Sequence, residues 1–335
     1  MPFLKSFVGR ISTSGHYLKL MRSLTVHGCR LRLAAVFSVF ILCCIGDASG
    51  QPTRKSKFDE YIDKQISSHR IKPPQGDRSE SRSQRFCPTT SVLARRVLFE
   101  YGAIFTAHDV VLPPRCVFDN SQQVAEFQNK LSIGVVNFGG FAIELQEEAM
   151  RALLDARNEA ADARLRITPL DGSVAGRRNY DDTVRIWLSR FERALNYWNR
   201  RGAIPDGDVA AARSEPYARQ AERVIGWESF GFWFGTDLRR SIFSSVAPPG
   251  TSQHLSLLAL DVAEYENRPL VAILNKHGWF QTVIGDGPHF TYLRTTVDKL
   301  PQRGLKFVYL GSVGYWVPDD GPATPPFAKV IVSSD

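Results

Sequence analysis

The chain has 335 residues, of which 43% are hydrophobic and 11% aromatic, too many for a wholly disordered or fibrous protein. Its net charge of +8 would suit a nucleic-acid or anionic-membrane partner if the excess lay on a folded surface. Residues 1–85 hold all of that excess, with 15 Lys and Arg against 6 Asp and Glu, whereas residues 86–335 hold 27 against 28. The balance of residues 86–335 argues against nucleic-acid binding.

Residues 1–50 have the pattern of an export segment. An apolar run at 33–45 (LAAVFSVFILCCI) follows two arginines and precedes small residues at 47–50. The run is short for a hydrocarbon core of about 30 Å, but it suits the apolar region of a signal peptide. We therefore expect export to the periplasm, cell envelope or medium, no membrane span in the mature form, and Met21 as an alternative start. A retained N-terminal anchor is the main alternative, and lipid modification of Cys43 or Cys44 is a weaker one.

Residues 51–85 are polar and charged, so the composition predicts a flexible tether that cannot offset its chain entropy by burial. Cleavage near residues 48–50 would leave Cys87 and Cys116 as the two cysteines of the mature chain. An even pair in an oxidising compartment favours a disulfide, with two buried free thiols as the alternative.

Residues 86–335 are predicted to form a single domain. Apolar residues at helical spacing predict helices over Ser121–Gln128, Phe141–Arg164 and Asp181–Arg201. Short β-like runs follow at 165–170, at 255–262 and at Phe290–Leu293. The last two of these runs carry or adjoin the polar residues that point to chemistry.

Two histidines and a carboxylate lie in that region. His254 follows a turn signal, Asp261 lies in an apolar run, and His289 precedes the next β-like run. A charge in an apolar run is costly unless it is paired or bound to a metal, and two imidazoles with one carboxylate suit a catalytic Zn²⁺ that keeps a fourth position for water. A straight strand would put His254 and Asp261 on opposite faces, so a bend or bulge after His254 is expected. By themselves, these residues could equally be satisfied polar groups at a sheet edge.

The surrounding residues carry a family resemblance. Ser252, Gln253 and His254, followed by Asp261, resemble the SxHxxxxxxD motif of the VanY-like D-alanyl-D-alanine carboxypeptidases, and residues 286–289 (DGPH) resemble that family's ExxH motif. Upstream, residues 176–180 (GRRNY) are similar to its SGYRSY segment. The likeness covers residues 141–310, in the same order as in the family.

The resemblance implies a fold and an activity. The implied fold is a compact α+β unit of the Hedgehog/D,D-peptidase type, with a small antiparallel sheet flanked by helices. The implied protein is a monomeric zinc carboxypeptidase or endopeptidase acting on the D-alanine-containing stem peptides of peptidoglycan. The implied roles are metal ligands at His254, Asp261 and His289, a general base at Asp286, a substrate-carboxylate anchor at Arg178, and lesser substrate contacts at Ser252 and Tyr180.

This chain departs from the family pattern at three positions. Asp286 replaces the catalytic glutamate, Pro288 replaces a tryptophan, and Gln253 stands where glutamate is frequent. Aspartate is one methylene shorter than glutamate, and a misplacement of about 1 Å can cost about 100-fold in rate. The alternative function is therefore a catalytically impaired, peptidase-like protein that binds cell-wall peptides.

Overall fold

The computed structural model describes residues 55–77, 79–88 and 90–320. The predicted export segment, together with its alternatives as an anchor or a lipid-modified segment, lies outside these residues. Within them, no helix combines the length and the apolarity needed to cross a bilayer.

Helices and short strands are mixed along the described chain. The helices are α1 (Lys57–Ser67), α2 (Arg82–Phe86), α3 (Val92–Tyr101), α4 (Ser121–Gln128), α5 (Glu147–Asp162), α6 (Tyr180–Arg200), α7 (Asp206–Ser214), α8 (Tyr217–Ser229) and α9 (Arg268–Lys276). The strands are β1 (Ile133–Phe138), β2 (Phe141–Gln146), β3 (Ala259–Asp261), β4 (Trp279–Gln281), β5 (His289–Tyr292), β6 (Leu305–Leu310) and β7 (Val313–Pro318). The ladders between them are antiparallel, in agreement with the predicted α+β class.

The central sheet has three strands in the order β3-β5-β4. Every residue of these strands is buried, and Leu260, Phe280 and Phe290 are wholly enclosed. The register pairs Asp261 with His289. Because residues directly opposite in an antiparallel pair have Cβ atoms about 5 Å apart, the strand pairing itself brings these two side chains together.

Two further hairpins, β1–β2 and β6–β7, lie outside the central sheet. The first corrects the predicted helix over Phe141–Arg164, because helix α5 begins only at Glu147 and residues 141–146 pair with β1. Ile143 and Leu145 are fully buried on one face of β2. Leu145 also fits the helical spacing of α5, and this double fit explains why the helix was predicted to start too early.

The predicted helix over Asp181–Arg201 is confirmed as α6, which starts one residue earlier. Asn179 caps it by accepting a hydrogen bond from the backbone N–H of Asp182, and the Asp182 carboxylate accepts one from the backbone N–H of Asn179. The buried side of α6 carries Trp187 and Phe191, whose rings stack on each other. These aromatic residues therefore belong to the core.

The predicted tether at 51–85 is wrong for its described part. Helix α1 buries Phe58, Ile62 and Ile66, and the chain after it buries Ile71, all within the main hydrophobic core. Phe58, Ile62 and Ile66 are four residues apart and form one apolar stripe on the helix. Because the residues around them are charged, the average composition of the segment does not indicate this stripe. The folded domain therefore begins before residue 58 rather than at residue 86.

The predicted disulfide is confirmed. Cys87 and Cys116 are bonded, with Cα atoms 5.3 Å apart. Two residues beyond Cys116, the backbone N–H of Phe118 donates to the carbonyl of Gly250. The disulfide joins the end of α2 to the segment around Cys116, and the Phe118 hydrogen bond joins that segment to the chain that precedes His254.

The packing of α1 predicts a clear stability effect. Phe58 is 3% exposed, and its ring lies against Gly102 at the end of α3. Phe58→Ala is expected to reduce the free energy of unfolding by about 3–5 kcal/mol, measured by urea denaturation, because it leaves a cavity in the core. Glu60→Ala, at an exposed position of the same helix, is the matched control, with an expected change within about 0.5 kcal/mol. Equally small effects of both substitutions would contradict this packing.

Candidate metal centre

His254 lies in a 3₁₀ turn (Gln253–Ser256) just before the central sheet. The turn ends at Leu257, whose φ of 58° is left-handed, and the Leu257 N–H donates to the carbonyl of His254. Leu255 anchors the turn in a small hydrophobic cluster with Phe118 and Phe127. This is the bend after His254 that the sequence predicts, and it lets the imidazole reach the same side as Asp261.

Three potential ligand atoms meet where the turn adjoins β3 and β5. His254 Nε2 lies 3.1 Å from His289 Nδ1 and 3.3 Å from Asp261 Oδ1, and His289 Nδ1 lies 3.2 Å from the same oxygen. A tetrahedral ion with bonds of about 2.0–2.1 Å has ligand atoms about 3.3 Å apart, as simple geometry requires. The triangle therefore has the size that a zinc ion needs.

The hydrogen bonds on the far sides of both rings identify which nitrogens carry protons. His254 Nδ1 lies 2.7 Å from the carbonyl oxygen of Gly176, which can only accept, so Nδ1 donates. His289 Nε2 lies 2.8 Å from Gln253 Oε1 and donates to it. The Gln253 amide is oriented by its own Nε2, which donates to the carbonyl of Tyr101 at 2.8 Å. In the neutral rings, the lone pairs of His254 Nε2 and His289 Nδ1 therefore both point at the Asp261 oxygen.

The electrostatics keep this group in the form that binds a cation. Burial, together with the nearby Arg178 guanidinium, lowers the pKa of His254 to about 4, so its ring is neutral at physiological pH. Burial alone would raise the pKa of Asp261, but that pKa lies well below its usual value, and the Arg178 guanidinium, 2.6 Å from Oδ2, is a positive charge that favours the ionised carboxylate. A neutral His254 and an ionised Asp261 are the protonation states that zinc ligands require.

Arg178 contacts the carboxylate of Asp261 directly. Its Nη2 lies 2.6 Å from Asp261 Oδ2, the oxygen that faces away from the two histidines, and its Nε donates to the carbonyl of Val174. Nη1 makes no hydrogen bond with any described residue. The guanidinium therefore holds Asp261 in place through one nitrogen and leaves another available to a ligand.

Asp286 lines the same small cavity as two of the metal-ligand candidates, His254 and His289. The cavity encloses about 30 Å³, room for about two water molecules, and its wall also contains Arg178, Ser252 and Tyr101. Burial, and then the negative charge of Asp261, raises the pKa of Asp286 to about 7. A carboxyl group with a pKa near neutrality can both take up and release a proton under physiological conditions.

Tyr180, unlike the other predicted substrate contacts Arg178 and Ser252, lies away from this cavity. It does not line the cavity, and its hydroxyl donates to the backbone carbonyl of Asp119 at 3.1 Å. Sequence reasoning also missed Gln253 and the carbonyls of Gly176 and Tyr101, which orient the histidines. The position of a backbone carbonyl cannot be predicted from residue types. The one sequence signal for Gln253 is that it lies beside His254 in the chain.

Comparisons with known proteins give distant similarities. No protein-family model and no curated protein matches the sequence. Among solved structures, a mutant of the vancomycin-resistance D,D-pentapeptidase VanY, from a VanB-type cassette and in complex with Zn(II), has 15% identity and a TM-score of 0.27, covering 49% of this chain and 81% of its own. The LD-carboxypeptidase LdcB has 15% identity and a TM-score of 0.28, covering 52% of this chain and 70% of its own. At these values the likeness is remote, and the candidate site is defined by this chain's own geometry.

The ligand geometry predicts zinc binding. After incubation with Zn²⁺ and desalting, the protein is expected to retain about one ion per chain by elemental analysis. His254→Ala is expected to lose stoichiometric retention because it removes one corner of the triangle. His277→Ala is the control, since His277 is engaged by Glu159 outside the site and its loss should leave the zinc content unchanged. Equal zinc contents in both variants would refute the site.

The hydrogen bond from His289 to Gln253 predicts a second effect on metal affinity. Gln253→Leu removes the acceptor that orients His289, so zinc binding is expected to weaken by about 10–100-fold in a chelator competition assay. Gln253→Glu keeps an acceptor and should bind zinc nearly as well as the wild type. Gln220→Leu is the matched control, because Gln220 is equally buried and its Oε1 accepts from Trp187 instead. If Gln253→Leu and Gln220→Leu bind zinc equally, Gln253 does not orient the ligand.

Proposed function

We propose that this protein is a zinc-dependent peptidase that acts on the D-alanine-containing stem peptides of peptidoglycan. The observation that carries the proposal is the convergence of His254 Nε2, His289 Nδ1 and Asp261 Oδ1, with both histidines lining one cavity together with Asp286. The substrate class comes from the motif resemblance and from the presence of Arg178 in that cavity. A confirmed disulfide fits a protein that folds in an oxidising compartment after export.

The residues divide the chemistry between them. A zinc ion held by the triangle would polarise the scissile carbonyl and make a water molecule more acidic. Asp286 would accept the proton of the attacking water and pass it to the departing amine, which its pKa near 7 permits. The small polar cavity would limit the number of competing water molecules around that proton transfer.

Arg178 has two tasks in this proposal. Through Nη2 it fixes the orientation of Asp261, and through Nη1 it can bind the terminal carboxylate of a peptide. Guanidinium suits both tasks because it stays charged and presents several N–H donors in one plane. The substrate's end group and a metal ligand would thus be held by the same side chain.

The second candidate function is a peptidase-like protein that binds cell-wall peptides without cutting them. The aspartate at position 286, where the family pattern has glutamate, favours it. In that case the zinc site would persist, but the proton acceptor would lie too far from the water molecule it must deprotonate. The two candidates differ in turnover rather than in metal content.

Replacement of Asp286 separates these functions. With zinc-loaded protein and a synthetic stem peptide ending in D-alanyl-D-alanine, Asp286→Ala is expected to lower kcat/KM by about 10²–10⁴-fold, measured by release of D-alanine. Asp298→Ala, at an exposed aspartate, should retain wild-type activity. Hydrolysis that appears only in Asp286→Glu would identify the wild-type protein as the impaired form. Hydrolysis unaffected by Asp286→Ala would exclude Asp286 as the base.

The pKa of Asp286 also predicts the pH dependence of hydrolysis. The base must be deprotonated, so kcat/KM should fall as the pH drops through the pKa of Asp286. That pKa is raised to about 7 by burial and by Asp261, and the positive charge of a bound ion would lower it again. The acidic limb of the profile is therefore expected below about pH 7, and a midpoint well above that value would contradict the assignment.

A further inference from the structure

The β6–β7 hairpin presents aromatic side chains on its outer face. Phe307 and Tyr309 are 45% and 68% exposed, and the register places Trp316 directly opposite Phe307. The ring of Phe307 meets those of Tyr309 and Trp316, each with centroids 5.0 Å apart. Gly314 makes this arrangement possible, because a Cβ there would lie 2.2 Å from the Phe307 ring. Exposed and mutually ordered aromatic residues of this kind indicate a binding surface.

These rings form one wall of a groove of about 310 Å³, within the range of small-molecule sites. The facing wall comes from β4, from helix α9 and from the chain before it, and it mixes polar side chains with Tyr265, Val271 and Ala272. It contributes the side chains of Glu266, Arg268, Asn275 and Gln281. A membrane-binding patch would be apolar or uniformly charged, whereas this groove combines a flat aromatic face with amide, carboxylate and guanidinium groups.

Gln281 contributes an oriented amide group to the wall of the groove. The residue is 4% exposed, and its Nε2 donates to the carbonyl of Gly287 at 2.6 Å, which fixes the orientation of the amide. Its Oε1 accepts no hydrogen bond from any described residue. Arg268 likewise makes no hydrogen bond or ion pair with the described residues. Because Gln281 lines the groove and its amide is held in one orientation, this carbonyl oxygen is available to accept a hydrogen bond from a ligand.

The groove lies beside the candidate metal centre. Gly287, which holds the Gln281 amide, is next to Asp286, and a Cβ on Gly287 would lie 2.5 Å from the ring of Tyr265 in the groove wall. One short loop therefore contacts both the groove and the cavity of the proposed base. A polymer that occupied the groove would run past the loop that carries Asp286.

We propose that this groove binds a neutral saccharide, namely the N-acetylated amino-sugar chain to which stem peptides are attached. A pyranose ring has a flat C–H face that can stack on Tyr309 and Trp316, and its hydroxyl and acetamide edges can pair with the Gln281 and Asn275 amides. One acidic and one basic residue in the wall, Glu266 and Arg268, suit a neutral ligand rather than a polyanion. The inference rests on the proposed function, since it names the polymer that presents the peptide substrate.

The test uses the full protein and a β-1,4-linked N-acetylglucosamine tetrasaccharide, with binding measured by calorimetric titration. Saturable binding is expected, and Tyr309→Ala should weaken it by about tenfold through loss of a stacking partner. Tyr309 is exposed, so this variant is expected to fold. Phe230→Ala is the matched control, because Phe230 is 79% exposed but lies outside the groove, and it should bind like the wild type.

Absence of saccharide binding, or equal binding by Tyr309→Ala and wild type, would overturn the proposal. A dimer that depends on Tyr309 in sedimentation equilibrium, without saccharide binding, would assign this face to a second copy and overturn it as well. The titration is repeated with His254→Ala, which lacks a metal ligand, so that the result does not depend on catalysis. If the wild-type protein binds the saccharide but hydrolyses no stem peptide, the groove assignment stands and the proposed peptidase activity is wrong.

Discussion

The structure around the candidate metal centre depends on one unfavourable arrangement. Three electron-pair donors, on His254, His289 and Asp261, face one another at 3.1–3.3 Å in a buried region. With their protons committed to other partners, the two imidazole nitrogens cannot donate to each other or to the carboxylate. Buried lone pairs that converge in this way are compensated best by a cation. Arg178 compensates only the far oxygen of Asp261, so the near side retains its affinity for a positive charge.

Several separate parts of the chain hold this arrangement in place. The pairing of β3 with β5 sets Asp261 against His289, and the 3₁₀ turn brings in His254. The end of α3 supplies the carbonyl that orients Gln253, and the segment before α6 supplies the carbonyl that orients His254. These supports come from distant positions in the sequence. The site therefore depends on the complete fold rather than on a local motif.

The sequence predicted the grouping of His254, Asp261 and His289 because residue type and order carry that information. A charged residue in an apolar run and a required bend after His254 were both visible before the fold was known, and the structure contains both. Helix α1 was missed because its three buried apolar residues are diluted by charged neighbours, so that average composition indicated a tether. The start of α5 was misplaced because Leu145 satisfies the strand and helix periods together. The hydrogen bonds that orient the histidines could not be predicted, since most of their acceptors are backbone carbonyls whose positions depend on tertiary packing.

The left-handed backbone of Leu257 limits how this protein can change. A leucine at φ of 58° is strained by about 1–2 kcal/mol, and glycine would relieve that strain. Leu257 is also completely buried, so removal of its side chain would cost about 2–5 kcal/mol. The loss exceeds the gain, so leucine is the more stabilising residue here despite the backbone it must adopt. At this position, a substitution that relaxes the backbone of the turn also removes packing from the core. A stabilising substitution near His254 is therefore expected at a position next to Leu257 rather than at Leu257 itself.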